Sequence, residues 1–130
     1  MTLVEVLVAT FLIVMVMGGA YSLIVRSSEL SRSARRHYVA VSLAKSRIER
    51  ARNFQYGDLM LLTENNLTVN DNGAPDLAGR FRRTTTVNTN YGAGLTEVVV
   101  TVKIRNPHTG LFTPDCETIQ TLFTELLENP

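Results

Sequence analysis

The residues that could do chemistry are few and scattered. The densest set of oxygen ligands is Asn70, Asp71, Asn72 and Asp76, in the stretch NDNGAPD. Calcium takes carboxylate and amide oxygens, and a glycine inside the set favours a sharp turn. The spacing departs from the regular calcium loop, so a surface turn is the simpler reading, with Asp71 and Asp76 as weak calcium candidates. His37 and His108 lie far apart, with no ligand cluster around either. Cys116 is the one cysteine, so no intrachain disulfide can form, and it reads as a half-buried structural thiol. Asn66-Leu67-Thr68 is a glycosylation sequon, a pattern too common to carry weight. There is no nucleophile–base pair, no metal-ligand spacing and no phosphate loop. These residues point to a structural protein and not an enzyme, with no cofactor.

One carboxylate stands out. The chain opens MTLVEVLVAT, and from Val6 to Val25 no residue is charged. As a helix this run spans roughly 30 Å, the thickness of a bilayer core. A secretory signal needs a basic leading region, and no basic residue precedes Arg26. Lipid or protein must therefore cover the segment. Glu5 sits at its start, where a charge in hydrocarbon costs less than the ~2.5–3.5 kcal/mol of a helix centre.

The elements that must position Glu5 follow. From Arg26 to Arg52 no Gly or Pro intervenes, and Leu30, Ala34, Tyr38, Val41, Ala44 (or Lys45), Ile48 and Ala51 recur at helical steps. With no stop signal between the halves, the pattern predicts one helix from about residue 2 to about residue 53, roughly 75 Å long. Residues 54–78 read as a loop rich in turn formers, with a short helix or 3₁₀ turn over Asp58–Leu62. Then the period changes to that of strands. RFRRTTTVNT (80–89), LTEVVVTVKIR (95–105) and CETIQTLFTELL (116–127) predict an antiparallel meander, with NPHTG (106–110) as a turn. Val98, Val100, Val102 and Ile104 fall on one face of the second run. The predicted fold is α+β: a long N-terminal helix whose C-terminal half packs on a small antiparallel sheet. The organisation is a half-helix over 1–25 and a head over 26–130, its sheet within 79–127.

Charge is nearly balanced, 13 Lys+Arg against 12 Asp+Glu, which argues mildly against a nucleic-acid binder.

The opening TLVEVLVATFLIVMVMGG, with its lone glutamate at the fifth position, resembles the start of mature type IV pilins and type II secretion pseudopilins. The layout of helix, loop and antiparallel sheet agrees. LAKSRIERARNFQYGDL (43–59) followed by VVVTVKI looks most like the pilin V and pseudopilin I group. Two departures stand beside the likeness. Met1 occupies the place where family members carry Phe; either it substitutes at the mature start or it is an initiator, and the Glu5 register favours the first. Gly18-Gly19 stands where many pilins carry Pro, and one cysteine excludes a disulfide-stapled head.

The resemblance implies leader removal and N-methylation at Met1 by a prepilin peptidase. It implies storage in a bacterial inner membrane, then export by a pilus or secretion assembly platform into an extracellular homopolymer. Met1, Leu3, Glu5, Leu7, Phe11 and Val14 would meet neighbouring subunits, with Glu5 pairing the α-amino group of Met1 on another copy. Gly18 and Gly19 would mark a point where the helix unwinds in a filament, or else close helix packing. Arg26, Arg32, Arg35 and Arg36 read as a solvated helix face. They could also pair Glu29 or Glu49 between subunits, or hold DNA or acidic surfaces. Phe11, Tyr21, Tyr38, Phe54 and Tyr56 read as packing residues.

Overall fold

The α-helix α1 runs unbroken over Leu3–Ala51. Its end follows from the chain that comes next. Arg52 N–H still bonds to the Ile48 carbonyl, but Asn53 and Phe54 close tighter turns onto Arg50 and Ala51. Among the described residues a 3₁₀ helix (Tyr56–Leu62) and four strands follow: β1 (Glu64–Val69), β2 (Phe81–Gly92), β3 (Leu95–Arg105) and β4 (Phe112–Thr124). This computed structural model describes residues 2–125, so the expectations for Met1, Leu126 and Leu127 lie outside the described residues. The chain divides into two compact units, Met1–Arg35 and Arg36–Pro130.

In the second unit the strands form one antiparallel sheet in chain order, β1-β2-β3-β4. The predicted α+β architecture is present. β3 alternates as its sequence requires: Val98, Val100, Val102 and Ile104 are buried, and the residues between them are half-buried. Residues Ala40, Leu43, Ala44 and Ile48 of α1 close this inner face, together with Val69 and Phe81. Alanines at positions 40 and 44 let the helix backbone approach the sheet. A second cluster, Ala51, Leu59 and Leu62, seals the lower edge with Tyr56 and Phe123 packed against it. There Thr96 Oγ1 donates to the Tyr56 hydroxyl at 3.0 Å.

Three expectations are corrected. The buried stripe of α1 is Ala40, Leu43, Ala44, Arg47, Ile48 and Ala51. Leu30, Ala34, Tyr38 and Val41 are exposed. The stripe is rotated from the apolar series because Arg47 goes inside, where Glu64 receives its charge at 2.9 Å. Second, the loop over 54–78 contains a strand: β1 pairs with β2 through Leu67–Val69 and through Glu64. Between these pairings the register slips, and Asn66 takes a left-handed φ of 52°. Third, β4 begins at Phe112, ahead of the expected Cys116. Pro114 is tolerated because β4 is an edge strand, whose amides need not all pair.

The turns match their sequences. In the β3–β4 connection the Asn106 side chain accepts from the His108 and Thr109 amides, and Gly110 takes φ 69°. In the β1–β2 connection Gly79 is fixed by proximity: a Cβ there would stand 2.2 Å from the Val69 carbonyl oxygen. Gly79→Ala is expected to cost roughly 2–3 kcal/mol, because backbone must move to admit the methyl. A urea titration of the full chain in detergent checks this; an unchanged midpoint refutes the close approach.

Candidate functional site: the apolar half of α1

The N-terminal half of α1 has the residues of a core and the exposure of a surface. Every described residue from Thr2 to Val25 is exposed on the single chain. Leu3, Leu7, Phe11 and Val14 lie at helical steps on one face and are all more than half exposed. The helix is long and apolar enough to cross a membrane by length and composition. Such a stripe is covered in the working protein by lipid, by protein, or by each in turn.

Glu5 lies in the first turn of this helix. Its Oε2 accepts a hydrogen bond from the Thr2 backbone N–H at 3.2 Å. The Thr2 carbonyl in turn accepts from the Glu5 and Val6 amides at 3.0 and 3.3 Å. This is the acidic half of a capping box, in which the side chain three residues into the helix reaches back to the residue that caps it. The signal was present in sequence as Thr2-x-x-Glu5, a spacing that the apolar context obscured. A negative charge here also meets the positive end of the helix dipole. Thr10 stays satisfied in the same apolar stretch, since its hydroxyl donates to the Val6 and Leu7 carbonyls at 3.0 Å. The Thr2 amide and the Thr10 hydroxyl thus find acceptors within the helix, and Glu5 keeps acceptor capacity for a further donor.

Gly18 and Gly19 sit within continuous helix, and a Cβ on either would meet nothing. Phe11 and Tyr21 are exposed on the single chain, as is the rest of the apolar half, and Tyr38 is exposed on the head, which corrects its reading as a packing residue. Tyr38 lies outside the buried stripe of α1. Phe54 is borderline, and Tyr56 packs on the lower cluster. Arg26, Arg32 and Arg35 are exposed and Arg36 half-buried. Glu49 faces Lys45 one turn away at 3.9 Å.

The other sequence candidates separate. Asp71 pairs with Arg80 at 2.5 Å, and Asp76 Oδ1 accepts from the Ala78 amide at 2.9 Å. Asn70 holds the same turn through the Asn72 and Ala74 amides. These oxygens are occupied as in a surface turn, and among the described residues no group of three or more His, Cys, Asp or Glu could hold a metal ion. Cys116 is exposed, which corrects the half-buried thiol: its position in β4 pairs with Lys103 on the sheet face turned away from the core.

Two polar contacts escaped the sequence reading. His37 Nδ1 lies 2.8 Å from Glu117 Oε1 and ties α1 to β4 across a wide sequence separation. Glu64 receives two arginines: Arg47 Nη2 at 2.9 Å and Arg83 Nε at 2.8 Å. Burial holds the Arg47 guanidinium below its ordinary pKa; Glu64 opposes that shift, and Arg83 and Arg50 add to it.

Compared with family models, with characterised proteins and with solved structures, the chain matches none.

Proposed function

We propose that this protein is a structural subunit of a type IV pilin-like filament. The subunit waits in a bacterial inner membrane and is then assembled, through the apolar half of α1, into an extracellular polymer. The observation that carries this reading is the exposed apolar half-helix with one carboxylate in its first turn. In the membrane the stripe faces lipid; in a polymer the same stripe faces copies of itself, so apolar burial is kept while the solvent changes. Glu5 then gains a charged partner, the α-amino group of Met1 on a neighbouring subunit. That amine has an ordinary pKa of about 7.7–8.0 and is largely cationic at neutral pH. The pair fixes axial register, as a buried polar group does in a coiled coil. A prepilin peptidase and an assembly platform are the partners this reading requires.

A second reading is favoured by the likeness of residues 43–59 and the VVVTVKI strand to the pilin V and pseudopilin I group. There the subunit is a minor one that primes or caps a pilus or a secretion pseudopilus. A third is an anchored binding domain that never polymerises, in which Glu5 is dispensable. Electron microscopy of filaments sheared from cells, with mass spectrometry of their subunits, separates the three. The chain as the bulk subunit supports the first, a trace at filament ends the second. Absence from every filament overturns both.

A further inference from the structure

We propose that the outer face of the sheet, turned away from α1, binds the phosphodiester backbone of a nucleic-acid strand. The face is defined by the register. Arg82 of β2 stands beside Lys103 of β3, and one step along, Arg105 stands beside Phe112 of β4. These side chains alternate with the buried Phe81, Arg83, Val102 and Ile104, so they point away from the core. Phe112 carries both guanidiniums: the Arg82 Cζ lies 4.0 Å from its ring centroid and the Arg105 Cζ 5.4 Å. Stacking of this kind holds a guanidinium flat and leaves its terminal N–H groups directed outward. Arg105 Nε is further fixed on the Gly110 carbonyl at 2.8 Å, whereas Arg82 Nε is buried with no acceptor.

The charges are uncompensated. Among the described residues, none of Arg82, Lys103 and Arg105 has a carboxylate at ion-pair distance. Asp115 lies in the irregular stretch of β4 between Phe112 and Cys116 and pairs with none of them. Glu97, on the same face, is at the far end of β3 and accepts from Gln120. The near-zero net charge of the chain therefore hides a local excess of cations.

The form of the excess selects the partner. Lys103 and Arg105 are two residues apart on one strand, roughly 6.6–6.8 Å, so the cations form a row and not a point. A row fits a polymer of anions better than a single ion. Arginine forks match pairs of phosphate oxygens. The next row across the same three strands is Thr84, Thr101 and Thr118, whose hydroxyls are the kind of neutral donor that accompanies Arg and Lys on a phosphate backbone.

The test uses the full chain in nonionic detergent micelles and a short fluorescein-labelled oligothymidylate, read by anisotropy. Binding is expected to weaken from about 50 to 200 mM salt with a logarithmic slope of about −2, as for three cations on a single strand. Lys103→Glu should weaken it roughly tenfold or more, since it reverses one charge of the row. Phe112→Leu should weaken it severalfold by freeing the guanidiniums. Arg32→Glu, on the exposed part of α1, should change it little. Three results would overturn the proposal: no binding at about 50 mM salt, an equal loss from Arg32→Glu, or equal competition by polyglutamate at matched charge. Unfolding midpoints of the variants show that a loss of binding is not a loss of fold. This inference does not depend on polymerisation.

Discussion

Glu64→Gln is expected to cost about 3–5 kcal/mol, a large fraction of the stability of a small domain. The substitution keeps side-chain volume and one acceptor oxygen, but replaces the charge and the second acceptor with an amide NH2 that donates toward the guanidiniums. In the native protein the carboxylate accepts from Arg83 Nε at 2.8 Å and Nη2 at 3.0 Å, from Thr85 Oγ1 at 3.3 Å and from Arg47 Nη2 at 2.9 Å. Arg47 also donates to the Leu62 carbonyl, so one cation joins α1, the 3₁₀ helix and β1. The side chains of Arg47, Arg83 and Glu64 are only 9%, 8% and 17% exposed. Without the carboxylate, two guanidiniums are left buried and facing each other. The cost comes from stranding them more than from the bonds lost. Replacing all three groups by apolar residues of similar size should therefore be far milder than the single change. Urea unfolding of the full chain in detergent, followed by circular dichroism, measures both. If Glu64→Gln leaves the midpoint in place, the triad is not an electrostatic lock.

Glu5→Leu is expected to leave membrane insertion intact and to lower filament yield at least tenfold. Glu5→Gln is the more discriminating variant. Glutamine serves in a capping box as glutamate does, so the bond to the Thr2 amide is retained and the first turn of α1 should form normally. What glutamine lacks is a charge for the Met1 amine of the next subunit. The filament reading thus predicts that both variants insert and that neither assembles well. Normal assembly of Glu5→Gln with failure of Glu5→Leu would assign Glu5 to helix capping alone. Normal assembly of both would remove the residue from the mechanism. Yields are compared by immunoblot of sheared surface material, with membrane fractions as the control for insertion.

Much of the fold was legible because the period of the sequence is strong where the structure is regular. The uninterrupted run to Ala51 gave α1, Val98 to Ile104 gave β3, and Asn106-Pro107 with Gly110 gave the hairpin turn. β1 was not legible, because ENNLTV carries two adjacent asparagines and its pairing is broken at Asn66. It is a strand by virtue of Leu67 to Val69 pairing with β2 and of Glu64 meeting Arg47 and Arg83, partners distant in sequence. The same partnership decides the helix face, since Arg47, which is no member of the apolar series, is buried against Glu64. The opening segment was legible as apolar with one carboxylate. Its capping bond rests on the spacing Thr2-x-x-Glu5, which an apolar run does not single out. The basic row on the outer face was not legible at all: Arg82, Lys103, Arg105 and Phe112 come from three strands, and only their register brings them together.

The core that closes on α1 has a consequence for biosynthesis. The helical side of that core, Ala40 to Ile48, is made early, whereas most of the sheet side is on β3, ending at Arg105. A ribosome working at 5–20 residues per second takes roughly 4–16 s to travel from Val25 to Arg105. During that interval the apolar opening is already available to a membrane and the head has nothing to fold against. Because strands β1 to β4 follow one another as neighbours, the sheet then needs only short loop closures to zip up. For a subunit stored in a membrane, as proposed above, this order would let the apolar opening reach the bilayer before the head folds, so that folding would not compete with insertion.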